Sequence, residues 1–327
     1  MKIKICKTHE ITTSEWEGIV QGFSQSFDRK GSVEKKKSYY SGNIFGYSYH
    51  AIALSDNKVV GHTTVIPSVY QINGQDQIVG LSGGTFVIKE FRKNAGLFKQ
   101  MYVGLREACN KEKMIAILGV PNKNSFRYSI KILKKKHIGN LNYYLLPLRP
   151  ANLMGLKKLA FFINPVSVFI AKLYIVLFLG FSRLFNPKEQ KTPYFIKLTP
   201  EFIRYRLKNG YENFLNHKGI SSFFKIDNEN GKKIAYLMEF NNNGIQDLKS
   251  LSLVIWQLIN NHKIDTIVWI GTLRLRPRPL IKLPQFLEPK PLPLTSEILP
   301  YGRSIVNEDS FHNFRNWKFS LINFDVK

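Results

Sequence analysis

Cysteine is nearly absent from the 327-residue chain, which carries only Cys6 and Cys109. Two thiols cannot build a disulfide framework or a cysteine-based zinc site. Acidic residues are also scarce: 23 Asp and Glu stand against 48 Lys and Arg, a formal charge of +25. The first residues, MKIKICKTHEITTSEWEG, lack the apolar run of a secretory signal, so a cytoplasmic chain is expected. Apolar residues are not scarce. They make up 44% of the chain and aromatics 13%, which excludes intrinsic disorder and provides for two domains of ordinary size.

The basic excess is spread evenly. Residues 1–150 hold 23 basic and 10 acidic residues, and residues 151–327 hold 25 and 13. A nucleic-acid binder tends to concentrate cations on one face or arm, so nucleic acid is not the expected partner. A Lys-, Asn- and Ile-rich composition accounts for part of the charge. The alternative to that reading is an anionic partner: a membrane surface, a nucleotide-like cofactor or nucleic acid.

Periodicity divides the chain into mixed elements. Lys2–Lys7 reads as a strand, and Ser14 with Glu17 forms a capping box for a helix carrying Trp16, Ile19 and Phe23. Turns at Asp56-Asn57, Asn73-Gly74 and Asn230-Gly231 mark hairpins. Gly96–Lys111 and Asn122–Lys136 read as helices, Met114–Val120 as a buried strand, and Ile138–Leu146 as a further strand. Residues 272–300 read as a Pro-rich loop or extended segment, and Phe319–Val326 as a closing strand. Phe161–Phe181 carries a single charge, Lys172, and, as a helix, would be about 31 Å long. Asn164-Pro165 and the central lysine disfavour a membrane span, so a helix lying on the protein or on a membrane surface, over residues 159–185, is expected.

The chemistry is concentrated in Leu81–Leu146. There a strand leads through Arg92-Lys93-Asn94-Ala95-Gly96 into a helix, then a strand ends at Pro121-Asn122 before another helix. The first amides of a helix have no internal partner, and with its dipole and two cations they suit a pyrophosphate. Gly96 lets the backbone come close to it. Asn122 can bond an amide-rich ligand or cap the next helix with Ser125 nearby.

At these residues the chain resembles the GNAT superfamily of acyl-CoA-dependent N-acetyltransferases. It is most similar to the tandem type found near bacterial surface-polysaccharide genes. The resemblance covers residues 50–146, with weaker likeness at Phe202–Leu207 and Trp317–Val326. It implies an α+β fold of two GNAT-like domains, each a mixed, mostly antiparallel sheet flanked by helices. They would occupy residues 1–150, which bind acyl-CoA, and 193–327, which is degenerate. The hydrophobic helical segment 151–192 would join them. By the same likeness, Phe86, Val87 and Ile88 would lie along pantetheine. Arg92, Lys93, Asn94, Ala95, Gly96, Leu97 and Phe98 would hold the pyrophosphate, and Asn122 and Ser125 would sit near the thioester.

Departures from the family pattern affect catalysis. Gly83-Gly84-Thr85 stands where many relatives carry an acidic residue, and Ser129 stands where a tyrosine acid is usual. Tyr128 and His62 become the candidate catalytic groups, with Glu90 a further possible base. Acetyl-CoA is the expected co-substrate, without a metal, and an amine, such as an amino sugar, the acceptor. The rival expectations are a Fem-type aminoacyl transferase, which shares the tandem fold and uses charged tRNA, and a non-catalytic CoA-binding or membrane-surface protein.

Overall fold

The structure, a computed structural model, describes residues 1–28, 31–156, 158–185, 192–208, 212–215, 220–242 and 246–324. In chain order the first elements are β1 (Lys2–Lys7), α1 (Thr13–Phe27), α2 (Val33–Ser41), β2 (Tyr49–Ser55), β3 (Lys58–Ile72) and β4 (Gln75–Val87). Next come α3 (Ala95–Lys111), β5 (Ala116–Gly119), α4 (Lys123–Lys131), β6 (Lys136–Asn140), β7 (Asn142–Pro147), α5 (Pro150–Leu153) and α6 (Ala160–Leu184). Then follow β8 (Tyr194–Ile196), α7 (Pro200–Lys208), β9 (Glu212–Leu215), β10 (Ile220–Glu229), β11 (Lys232–Asn242) and α8 (Leu248–Asn261). The last are β12 (Thr266–Gly271), β13 (Ile281–Lys282), β14 (Pro293–Ile298), α9 (Glu308–Phe311) and β15 (Trp317–Lys318).

Local chemistry explains many of these boundaries. Asp56-Asn57, Asn73-Gly74 and Asn230-Gly231 all have positive φ at both positions, the geometry that folds twisted strands back on themselves. The cap of α1 differs from the expected Ser14–Glu17 pair. Thr12 accepts from the Glu15 amide at 3.3 Å, and the Glu15 carboxylate accepts from the Thr12 amide at 2.8 Å. The box sits two residues earlier because the helix begins at Thr13.

The first compact unit comprises residues 1–140, 193–205 and 292–317. Its sheet runs β1-β2-β3-β4-β5-β14-β6. The β4–β5 pair is parallel, while the neighbouring pairs along the path are antiparallel. Parallel strands need a crossover, and α3 supplies it. Helix α3 buries Leu97, Met101, Leu105 and Cys109 against one face of the sheet. Trp16 and Ile19 of α1, with Tyr40 of α2, cover the other.

The second unit comprises residues 141–192, 206–291 and 318–327, with strand order β13-β7-β12-β11-β10-β9. Here too a hairpin, β10–β11, leads through a helix, α8, into a parallel strand, β12. The core gathers Leu251, Ile255 and Leu258 of α8, Ala171 and Ile175 of α6, and Trp269 of β12.

Three expectations change. The strand expected over Ile138–Leu146 is two strands, β6 and β7, in different sheets. An apolar run reports burial but not which sheet provides it. Residues 272–300 contain β14, which lies between β5 and β6. Phe319–Val326 is not a strand: Leu321–Asn323 is a 3-10 turn, held by the Asn323 side chain accepting from the Ser320 amide at 2.9 Å, and residues 325–327 lie outside the described residues.

Urea unfolding distinguishes the two caps. Thr12→Ala should lower stability by about 1 kcal/mol, and Ser14→Ala should stay within about 0.5 kcal/mol of the parent. The reverse ranking would restore the Ser14 cap.

Candidate functional site

The site begins where two strands part. β4 and β5 pair from Val79↔Ala116 to Ser82↔Gly119, after which β5 ends and β4 continues to Val87. Along Gly83–Val87 one edge of β4 therefore has no neighbouring strand among the described residues. Such an edge is a template for an extended, amide-bearing ligand. A Cβ added at Gly83 would meet nothing within 4 Å, whereas one at Gly84 would lie 2.3 Å from the Tyr40 hydroxyl. Gly84 also has φ +58°, and the β3–β4 register shifts beside it, between His62 and Thr64. The strand is thus bulged at its free edge, a conformation that glycine permits.

The far end of this edge meets the start of α3. Asn94 precedes the helix without capping it through its side chain, and no acidic residue occupies the first turn. The Leu97 amide donates to the Asn94 carbonyl at 3.1 Å, and the amides before it are left to solvent or to an anion. Arg92, Lys93, Asn94 and Gly96 are all exposed here. Arg92 donates its Nε–H to the Val87 carbonyl at 2.9 Å, which ties the loop to the end of β4. A Cβ at Gly96 would touch only the Asn94 side chain, at 3.3 Å, so the space before the helix is open. Ala95 opens the helix, and its side chain lies outside the described residues. Leu97 points into the core and is fully buried.

The other named residues divide by depth. Val87 and Ile88 are half-buried, while the Phe86 side chain faces the α1 side, packed near His62 and Phe23. Asn122 caps α4 by accepting from the amides of Asn124 and Ser125 and from the Ser125 hydroxyl. Tyr128 is half-buried, its ring 5.0 Å from Phe98, and burial raises its hydroxyl pKa. Glu90 is exposed on the short turn after β4.

His62, a candidate catalytic group from the sequence, is fully buried. It belongs to a buried chain of groups: His62 Nδ1 lies 2.9 Å from the Gly84 carbonyl, His62 Nε2 lies 3.0 Å from His50 Nδ1, and His50 Nε2 lies 3.0 Å from the Thr8 hydroxyl. A carbonyl only accepts, so His62 Nδ1 must carry the hydrogen. In neutral rings His62 Nε2 then accepts from His50 Nδ1–H, and His50 Nε2 accepts from Thr8. Thr8 in turn accepts from the Ser48 amide at 2.7 Å. One end of the chain fixes every tautomer along it. Trp16, Tyr40 and Phe86 surround the imidazoles. Burial pushes His62 down to about 4 and His50 well below its usual range.

Lys135 was not singled out from the sequence beyond its place in a lysine triplet. It is buried, and burial pushes its amine down to about 8. Its Nζ lies 3.3 Å from the Ser82 hydroxyl, at the last pair before the strands part, and 4.6 Å from the Tyr102 ring centre. Nearby, Glu297 accepts from Tyr102 at 2.6 Å and from Arg106 at 3.1 Å. These groups edge a cavity of 430 Å³ whose walls also carry Lys99, Lys134, Lys136 and Arg303. The flanking Lys134, with φ +57°, and the exposed Lys136 show that only the middle lysine turns inward.

Solved structures share this fold at low sequence identity. A conserved Enterococcus faecalis protein described as a probable N-acyltransferase matches with a TM-score of 0.54 and 13% identity, covering 92% of this chain and 74% of that one. A GCN5-related N-acetyltransferase from Anabaena variabilis gives 0.54 and 11%, over 91% and 73%. Saccharomyces cerevisiae N-myristoyltransferase with bound myristoyl-CoA gives 0.53 and 10%, over 90% and 82%. The fold is that of the GCN5-related N-acetyltransferases. No family model matches the chain, and no curated protein does.

Within this GNAT fold the two units differ at the corresponding helix start. Asp247 caps α8, accepting from the Ser250 amide at 2.7 Å and the Ser250 hydroxyl at 2.8 Å. A carboxylate thus sits where α3 leaves its amides open, and it repels a phosphate.

The buried histidines make stability depend on pH. Their folded pKa values lie below the unfolded one, so the unfolded chain binds more protons in acid. The His62 contribution is complete above about pH 6.5 and is lost as pH falls toward about 4, on the order of 3 kcal/mol in all. In urea titrations between these pH values, His62→Asn should flatten the slope. An unchanged slope would show that His62 is not buried neutral.

Proposed function

We propose that the chain is an acetyl-CoA-dependent N-acyltransferase whose first unit binds the acyl-CoA. The parting of β4 from β5, ending at an uncapped, cation-flanked helix start, carries this reading. Pantetheine, with its two amides, would pair along Gly83–Val87, and the pyrophosphate would lie on the amides after Asn94, beside Arg92 and Lys93. Asn122 and Ser125 would border the thioester arm from the start of α4. The second unit is read as a degenerate GNAT-like domain, because its helix start is closed by Asp247. That gives a tandem architecture of two GNAT-like units. An amine is the acceptor, and an amino sugar is the class the sequence resemblance points to.

The reaction is direct attack of a neutral amine on the thioester carbonyl, which forms a C–N bond and expels the CoA thiolate. Positioning along the free edge supplies much of the rate. Among the described residues no carboxylate lies on Gly83–Val87, so the amine loses its proton to solvent or arrives neutral. We assign His62 a positioning part, since it holds the Gly84 carbonyl at the bulge, in place of the base expected of it. Lys135, an ammonium with a pKa near 8 beside Ser82, is assigned to protonate the departing thiolate. Tyr128, half-buried on α4, is the other candidate acid.

Acetyl-CoA should raise the melting temperature by several degrees, and Gly96→Asp should abolish the shift by placing a carboxylate against the phosphates. No shift in the parent protein would reject the CoA reading. A shift without transfer to any amine would favour the non-catalytic alternative. Lys135→Met should lower kcat at least tenfold, leave acetyl-CoA binding intact, and remove a fall in kcat above about pH 8. An unaltered pH profile would exclude the lysine as acid.

A further inference from the structure

The second unit carries an apolar surface that acyl transfer does not use. One face of α6, marked by Asn164, Ala171, Ile175 and Ser182, is buried, and α6 packs on α8. The opposite face recurs at helical spacing as Phe162, Val166, Phe169, Leu173, Leu177 and Leu184, each 51–79% exposed. No polar side chain interrupts those positions. Met154, Leu156 and Leu159, also exposed, extend the surface toward the start of the helix. At 1.5 Å per residue the 25-residue helix is about 37 Å long. Contiguous exposed apolar surface of this kind is rare on a monomer and marks a contact site.

We infer that α6 lies flat in the surface of an anionic lipid bilayer, its exposed face among the acyl chains. Two observations favour lipid over a second protein. Protein interfaces mix apolar and polar groups, whereas this face is apolar along its whole length. The cations also lie along one margin of it. Lys172 and Arg183 are eleven residues apart, about three turns, and so share one edge of the stripe. Long cationic side chains at such an edge reach headgroup phosphates while their stems remain in the apolar layer. Beside Lys172 is an open trough of 550 Å³, lined by Arg149, Phe161, Pro165 and Phe169 among others. Arg149 lies 4.0 Å from Asp265, at the edge of ion-pair range, with its side chain partly exposed. Arg149 and Lys172 with the two phenyl rings suit one anionic headgroup and the start of its chain. The net charge of +25 adds a long-range attraction to the same surface.

The helix does not span. Its length and apolar composition would permit crossing, but a spanning α6 would have to leave α8 and would place Lys172 at mid-depth.

Sedimentation with vesicles tests this on the full chain. Vesicles of phosphatidylcholine with 30% phosphatidylglycerol should bind it in ~0.1 M salt, and pure phosphatidylcholine at least tenfold less. Phe169→Glu, Leu173→Glu and Leu177→Glu combined should weaken binding at least tenfold while leaving the circular dichroism spectrum and the acetyl-CoA thermal shift of the parent unchanged. Lys172→Glu with Arg183→Glu should weaken binding to anionic vesicles and reduce its salt dependence. Absence of binding by the parent, or binding that the triple variant keeps, would overturn the inference. So would a dimer of the parent in solution that the triple variant abolishes, since the face would then belong to a second copy. Because the thermal shift is read separately, failure here is distinguishable from failure of the acyl-CoA reading.

Discussion

Two parallel strands that stop pairing after Ser82 and Gly119 create the site on which the rest of the first unit depends. Parallel pairing makes a crossover necessary, and the crossover helix α3 must start near the end of the longer strand. That places the open amides of α3 at the end of the free β4 edge. The bulge at Gly84 completes the arrangement. Tyr40 leaves no room for a Cβ there, and a buried histidine holds the carbonyl. Packing on one face of the sheet thus shapes the backbone that faces the proposed ligand.

The same strand–helix–strand plan occurs in the second unit with the opposite electrostatics. Asp247 satisfies the first turn of α8 internally, and Glu239 lies 3.2 Å from Lys318 within that unit. Local side-chain chemistry at a helix start, more than backbone topology, separates the unit proposed to bind CoA from the one proposed not to. Unit two contributes instead the exposed face of α6, where the scarcity of acidic residues noted in the sequence acquires a location.

Much of the site was legible where chemistry is local. The turns at Asn73-Gly74 and Asn230-Gly231, the helix after Asn94 and the Asn122 cap all follow from residues within a few positions of one another. What depends on distant neighbours was not legible. Lys135 is one of three consecutive lysines, and only Ser82, Tyr102 and Glu297, remote in sequence, distinguish it. The burial of His62 was hidden because it comes from residues remote in sequence, Tyr40, His50 and Phe86. The strand order was hidden for the same reason: nothing in Pro293–Ile298 announces that it lies between β5 and β6. The break between β6 and β7 falls at Leu141, between Asn140 and Asn142.

Hydrogen–deuterium exchange with and without acetyl-CoA tests the central claim most directly. Bound CoA should slow exchange at residues 83–88 and 93–98, the free edge of β4 and the start of α3, and leave 246–252 at the start of α8 unchanged. Protection confined to the second unit, or none at 83–88, would contradict the account.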